Sequence, residues 1–242
     1  MPPSQPLRAG LPWPPWYSRL AACPILEAVT APKLERVRLY FVCDARPGGR
    51  DPEPLLEAAL AAGAGAIQLR EKEPRCAEEV ISYAEPFARA ARRHGALFIL
   101  NDWPDLARQA GADGVHVGQE DASVAEARRL AGPGAIVGLS THSPAQLDAA
   151  CAARGDARPD YVSVGPVWET PTKAGRAAAG LEYVRYAAKH ATLPWFAIGG
   201  IDASNVRRVV EAGATRIVVV RAIRDAADPG AAARELRAAL PG

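Results

Sequence analysis

The sequence predicts an α/β fold, a single (β/α)8 TIM barrel of parallel strands preceded by a proline-rich extension. Three observations predict it. Short β-rich runs alternate with Ala/Arg/Glu-rich amphipathic stretches from residue 38 to the end of the chain, eight such pairs follow one another, and no Gly-x-Gly-x-x-Gly motif follows the first run. Strict alternation means a parallel sheet, because each strand must be returned to the same edge by a crossover helix. Eight units favour a closed barrel over a doubly wound sheet, whose dinucleotide fingerprint is missing here.

Residues 1–36 stand apart from that pattern. They hold eight of the 22 prolines, including the stretch LPWPPW, which cannot continue a helix and offers a central strand no ladder donors. They are expected to form an extension, with a short helix around Ile25–Val29 and with Trp13 and Trp16 placed to pack on the body; residues 37–242 form the barrel. Its strands are expected at 39–44, 66–70, 97–101, 114–117, 136–140, 161–165, 195–199 and 216–220. Helices are expected at about 52–62, 75–94, 103–110, 122–131, 143–153, 180–190, 202–212 and 229–240. Asp51-Pro52, Ser143-Pro144, Asp202 and Asp228-Pro229 supply caps or first-turn prolines, and Gly63, Gly111 and Gly213 supply stops.

Composition narrows the function classes. Lys+Arg total 29 against 27 for Asp+Glu, a net charge of +2, which offers no electrostatic footprint for nucleic acid or an acidic membrane surface. No run of 18 apolar residues could span a bilayer, and the N-terminus lacks a charged segment followed by an apolar one. Cys23, Cys43, Cys76 and Cys151 are far apart with no Cys-x-x-Cys pair, as expected of reduced thiols in a cytoplasmic protein. A homo-oligomer is compatible with all of this.

In a barrel the chemistry collects at the C-terminal ends of the strands, so those are the places to read. The second strand runs into Gln68-Leu69-Arg70-Glu71-Lys72; alternation puts Gln68, Arg70 and Lys72 on the inward face, with Ile67 and Leu69 toward the helices. A cationic inward face is one that a purely structural core would avoid, the alternative being a surface ion-pair cluster with Glu71 and Glu73. The third strand ends at Asn101-Asp102 and the fourth is followed by Gly118-Gln119-Glu120-Asp121. Carboxylates Asp102 and Asp121 on neighbouring strand ends suit a Mg²⁺–phosphate site, or equally two helix N-caps. His116 is expected inside the barrel as a hydrogen-bonded core residue, Ser140 as a ligand contact and His142 as a lining residue. The long loop from Gly165 carries Thr170-Pro171-Thr172-Lys173, hydroxyls and a point charge suited to an anion. Gly199-Gly200 and the backbone N–H groups near Val220 and Arg221 suit a phosphate held at strands seven and eight. Only four of the 29 basic residues are lysines, and two of them, Lys72 and Lys173, stand in these motifs.

QLREK (68–72), ND (101–102), GADGVHVGQED (111–121), the Ser140 turn, GPVWETPTK (165–173), AIGGI (197–201) and AI (222–223) together resemble the thiamine phosphate synthase family, in the family's order and one per strand end. The resemblance implies an enzyme, a transferase that joins two small-molecule substrates, an aminopyrimidine diphosphate and a thiazole phosphate, with release of pyrophosphate and with Mg²⁺ as cofactor. It implies that Gln68, Leu69, Arg70, Glu71, Lys72, Asn101, Ser140 and Lys173 meet the pyrimidine diphosphate, with Arg70, Lys72 and Lys173 as the catalytic cations. It implies Asp102 and Asp121 as metal ligands, and Thr170, Pro171, Thr172, Gly200, Val220 and Arg221 as the thiazole phosphate cradle. The sequence departs from the family at Arg221, commonly serine, and at Arg216, commonly glycine. A thiazole tautomerase-like barrel would not need the set Arg70, Lys72, Asp102 and Asp121, and a non-catalytic sensor of the same phosphates is the remaining alternative.

Overall fold

The structure is a computed structural model, and it describes residues 34–71, 76–170 and 177–242. Eight parallel strands close into a barrel in chain order: β1 (Leu39–Cys43), β2 (Ala64–Leu69), β3 (Leu97–Asn101), β4 (Gly114–Val117), β5 (Ile136–Thr141), β6 (Tyr161–Val164), β7 (Trp195–Ile198) and β8 (Ile217–Val219). Closure is made by β1 on β8, with Leu39, Tyr40 and Phe41 in register with Ile217, Val218 and Val219. The expected barrel is therefore the observed one, beginning at Leu39.

The helices described around it are α1 (Glu53–Ala61), α2 (Ala77–His94), α3 (Val124–Ala131), α4 (Pro144–Ala152), α5 (Gly180–His190), α6 (Val206–Glu211), α7 (Arg221–Arg224) and α8 (Pro229–Ala239). Ser123, Ser143 and Asp228 cap α3, α4 and α8, each side-chain oxygen accepting from the backbone N–H three residues on. Gly95, in the left-handed region at φ 60°, stops α2.

Three expectations change. The helix expected at 103–110 is a single 3-10 turn at Pro104–Leu106, because Asp102 and Trp103 turn the chain left-handed at φ 58° and 48°. The few residues left before Gly111 gain too few i→i−4 bonds to offset helix nucleation, and they lay Leu106, Ala107 and Ala110 against the core as turns instead. The helix expected at 202–212 begins only at Val206, since the side chains of Asp202 and Asn205 take backbone donors locally: Ser204 N–H donates to Asp202 Oδ1 at 2.9 Å and Asp202 N–H to Asn205 Oδ1 at 3.0 Å. Conversely, α7 is a short extra helix after β8 that the hydrophobic pattern does not announce. The helix expected at Ile25–Val29 lies outside the described residues, as do Trp13 and Trp16.

Strand alternation divides the core in two. Outward residues such as Phe41, Ile67, Leu69, Phe98, Val115 and Val219 join the helices in one large apolar layer. Inward residues Val37, Tyr40, Val42, Ala66, Leu97, Ile99, Tyr161, Phe196 and Val218 fill the barrel itself. Edge-to-face contacts from Tyr40 and Tyr161 onto Phe196, with ring centroids 5.6 and 5.5 Å apart, lock that interior. Leu34, in a 3-10 turn at Leu34–Arg36, packs partly buried against the same cluster.

Candidate active site

Above Phe196 the barrel interior changes from apolar to polar. Gln68, His116, Ser140 and Ser163 all point inward and are 3–8% exposed, so they owe their burial to partners or to the cavity above them. Gln68 Nε2 donates to Tyr40 Oη at 2.6 Å, and Tyr40 Oη lies 3.2 Å from Tyr161 Oη. His116 Nδ1 stands 3.0 Å from Tyr161 Oη, and its Nε2 stands 3.0 Å from Ser140 Oγ. Burial pushes both phenols above the ordinary tyrosine range, so neither ionises near neutrality. Gln119 Nε2 donates to the Ser140 carbonyl at 2.6 Å, and Tyr183 Oη donates to Thr141 Oγ1 at 2.7 Å, which fixes the end of β5. His142 Nδ1 lies 2.7 Å from the Gly165 carbonyl, joining β5 to the loop after β6.

This polar layer floors a cavity of about 340 Å³ at the C-terminal ends of the strands. It brings together Gln68, Arg70, Asn101, Ser140, Thr170, Gly200, Val220 and Arg221, all singled out in the sequence, with His116 and His142 beside them. Leu69 does not join them; it is buried against the helices, as alternation requires. Glu71, Asp102 and Asp121 stand outside the lining, and Lys72, Pro171, Thr172 and Lys173 lie outside the described residues. Tyr40, Tyr161, Ser163, Asp202 and Asp225 line the cavity without having been singled out. The signal for Tyr161 and Ser163 was the same parity that placed Gln68 and Arg70: they are the alternate residues of β6 that face inward.

The β2–β4 rim carries the charge. Burial lowers the basicity of Arg70, and the carboxylates of Asp102 and Glu71 oppose that shift. Glu71 Oε2 in turn accepts from Ala45 N–H at 3.3 Å. Asp102 N–H donates to the His116 carbonyl at 2.9 Å, and Asn101 Nδ2 donates to Asp102 Oδ2 at 2.6 Å. On the next strand end, Gly118 N–H donates to Asp121 Oδ2 at 2.6 Å. Neither aspartate caps a helix: Ser123 caps α3, and Trp103 occupies the N-cap position of the 3-10 turn without a side-chain bond. Asp102 also holds a backbone conformation that disfavours any side chain, a strain met most often at functional positions.

The β6–β8 rim is built from backbone. Gly199 and Gly200 have φ of 106° and 67°, and a Cβ at 200 would stand 2.9 Å from Trp168 Cβ. Trp168 N–H donates to the Gly199 carbonyl at 3.1 Å, and Arg208 lies over the Trp168 ring at 5.7 Å, holding the loop that carries Thr170. Helix α7 opens on the same cavity as Gly200; its first internal bond is donated by Ile223, so the N–H groups of Arg221 and Ala222 have no intrahelical partner. Arg216 stands at the opposite end of the barrel, donating through Nη2 to the Glu35 carbonyl at 3.1 Å.

The family model for thiamine monophosphate synthase matches residues 39–223. The thiamine-phosphate synthase of Arthrobacter sp. (strain FB24) is 52% identical over 227 residues, covering 86% of this chain and 95% of that protein. That of Thermus thermophilus is 53% identical over 209 residues, covering 85% and 98%. Among solved structures, the thiamine phosphate pyrophosphorylase from Pyrococcus furiosus superposes with a TM-score of 0.74 at 32% identity, over 85% of this chain and 96% of that one. The inward polar layer, the two uncapped aspartates and the glycine-built rim are thus those of a chain that belongs to the thiamine monophosphate synthase family.

Proposed function

We propose that the chain is a thiamine phosphate synthase, condensing 4-amino-2-methyl-5-hydroxymethylpyrimidine diphosphate with 4-methyl-5-hydroxyethylthiazole phosphate to give thiamine phosphate and pyrophosphate, or with its carboxylated form, which also loses CO2. The observation that carries this reading is the division of one cavity into a side-chain half at β2–β5 and a backbone half at β6–β8. One half offers a half-buried arginine, amides and a hydroxyl to a polar ring and a diphosphate. The other offers glycine backbone, the first N–H groups of α7 and Thr170 to a single phosphate.

Asp102 and Asp121 would hold Mg²⁺. Both are hard oxygen donors on adjacent strand ends, and neither is spent on a helix cap. Two carboxylates fit an ion that takes its remaining ligands from water and substrate phosphate. When bound, Mg²⁺ supplies positive charge at the diphosphate.

The chain's own residues bind, orient and neutralise. The carbon–oxygen bond between the pyrimidine methylene and the diphosphate breaks, and its electron pair leaves on the diphosphate oxygen. Arg70, with Lys72 and Lys173 in the same role, stabilises that developing charge, while the 4-amino group feeds electrons to the methylene carbon. The thiazole nitrogen then forms the new carbon–nitrogen bond, and the positive charge remains on the thiazolium. Placing the two substrates in line supplies much of the rate, and no protein nucleophile is needed. Gln68, Asn101 and Ser140 orient the pyrimidine; Thr170, Thr172 and the backbone of Gly200, Val220 and Arg221 hold the thiazole phosphate.

The test is pyrophosphate release by the purified chain. Release is expected only with both substrates present, and it should stop when a chelator removes Mg²⁺. Binding of the thiazole phosphate alone, with no pyrophosphate from the pair, would overturn the synthase reading in favour of a tautomerase-like or sensing barrel.

A further inference from the structure

Five side chains cross the barrel interior in one hydrogen-bonded line: Gln68, Tyr40, Tyr161, His116 and Ser140. We propose that Tyr40, Tyr161 and His116 are positioning residues forming a directional relay that makes Gln68 an acceptor and Ser140 a donor toward the pyrimidine ring. The proposal rests on the assignment above of Gln68 and Ser140 to the aminopyrimidine.

The direction follows from proton inventory. An amide NH2 only donates, so Tyr40 Oη accepts from Gln68 Nε2 at 2.6 Å. Tyr40 has one proton, and its other partner is Tyr161 Oη at 3.2 Å, so the proton goes there. Tyr161 passes its own proton into the 3.0 Å contact with His116 Nδ1. A neutral imidazole that accepts at Nδ1 carries its proton on Nε2, and that proton fills the 3.0 Å contact with Ser140 Oγ. The Ser140 hydroxyl proton is therefore turned away from His116. At the other end Gln68 lines the cavity, and its Oε1 is neither hydrogen-bonded nor among the buried orphan atoms of the described residues, so it opens to the cavity as an acceptor.

The two ends cannot change independently. Reversing one requires an amide flip, two phenol rotations and a tautomer change together. Any partial reversal sets two donors, or two lone pairs, against each other in a buried place. The forward state suits a ring that offers an amino N–H and a ring-nitrogen lone pair; the reversed state suits a ring with a carbonyl and a ring N–H. The relay thus selects 4-aminopyrimidines over 4-oxopyrimidines. Its geometry needs Gly138, since a Cβ there would stand 2.5 Å from His116 Nδ1 and 2.1 Å from Tyr161 Cζ.

The first measurement is made on the unsubstituted chain: ¹⁵N-histidine NMR, with the His116 signals assigned by their loss in His116→Asn. A ring protonated at Nε2 and bare at Nδ1 is expected; a bare Nε2 overturns the proposal. The second compares binding of 4-amino- and 4-oxo-5-hydroxymethyl-2-methylpyrimidine by calorimetry. Tyr161→Phe should mix the His116 tautomers and cut the amino-over-oxo preference by about tenfold or more, with the KM for thiazole phosphate within about twofold of its starting value. Tyr40→Phe should cut the preference similarly while leaving the tautomer intact, because Tyr161 still donates to His116. If both variants keep the preference while Gln68→Ala or Ser140→Ala abolishes it, the relay is wrong and the binding assignment stands. If Gln68→Ala and Ser140→Ala also keep it, the binding assignment itself fails.

Discussion

The two halves of the cavity mouth are made of different material. At β2–β5 the groups that face the cavity are side chains seated on strands: Gln68 and Ser140 are held by Tyr40 and His116 on the neighbouring strands, and Asn101 by the adjacent Asp102. At β6–β8 they are mostly peptide groups, exposed by Gly199 and Gly200 and by the start of α7, whose first N–H groups have no partner within that helix. A side-chain site depends on residue identity and a backbone site on conformation. Substitution should therefore act oppositely in the two halves: changing a functional group should matter at the first, and changing the space around the chain at the second.

The comparison is tested most severely at the aspartates. Asp102→Ala and Asp121→Ala should each lower kcat by roughly 10²–10³-fold, about 2.7–4 kcal/mol, by analogy with loss of one preorganised transition-state contact. Excess Mg²⁺ should recover part of the loss in steady-state assays, and full activity of both variants in chelator would sink the assignment. Next comes Gly200→Ala, which adds one methyl at φ 67° and 2.9 Å from Trp168 Cβ. It should raise the KM for thiazole phosphate about tenfold, with the KM for the pyrimidine diphosphate unmoved, roughly the cost of a strained left-handed residue. Equal effects on both substrates would erase the distinction between the halves. Arg221→Ser, by contrast, should leave both KM values within about twofold, because the peptide N–H is unchanged; a large loss would show a recruited guanidinium.

The smallest effect is expected far from the cavity. Glu53 on α1 meets Arg89 at 2.6 Å and Arg93 at 2.7 Å on α2, and those bonds hold its carboxyl down to about 2. Its stabilising contribution is present above pH 4.5 and is lost as pH falls through about 2. Glu53→Gln should therefore lower the melting temperature slightly at neutral pH, exposed pairs being weak, and that difference should vanish as pH falls through about 2.

The same contrast governs what could be read from the sequence. Strands were legible as short β-rich runs, buried on both faces even where as short as Gly114–Val117, and the inward polar residues of β2 and β4 interrupted those runs visibly. Backbone devices left no such mark. Nothing in the sequence around Asp102-Trp103 announces two consecutive left-handed residues, so a helix was expected where a 3-10 turn stands. The four residues of α7 are too few to show a helical period. Tyr161 was passed over because a tyrosine in a strand run reads as apolar filling; only the presence of His116, Tyr40 and Gln68 around its hydroxyl gives it another role.

Gly138 carries one last consequence. It lies directly beside Tyr161 in the β5–β6 register, and the Tyr161 ring occupies the volume that a side chain at 138 would need. The phenol and the missing methyl are therefore one unit of design spread over two strands. Anyone moving this recognition layer into another eight-stranded barrel would have to hollow out the neighbouring strand before seating the tyrosine. The reverse order, ring first and glycine second, passes through a protein whose interior does not fit together.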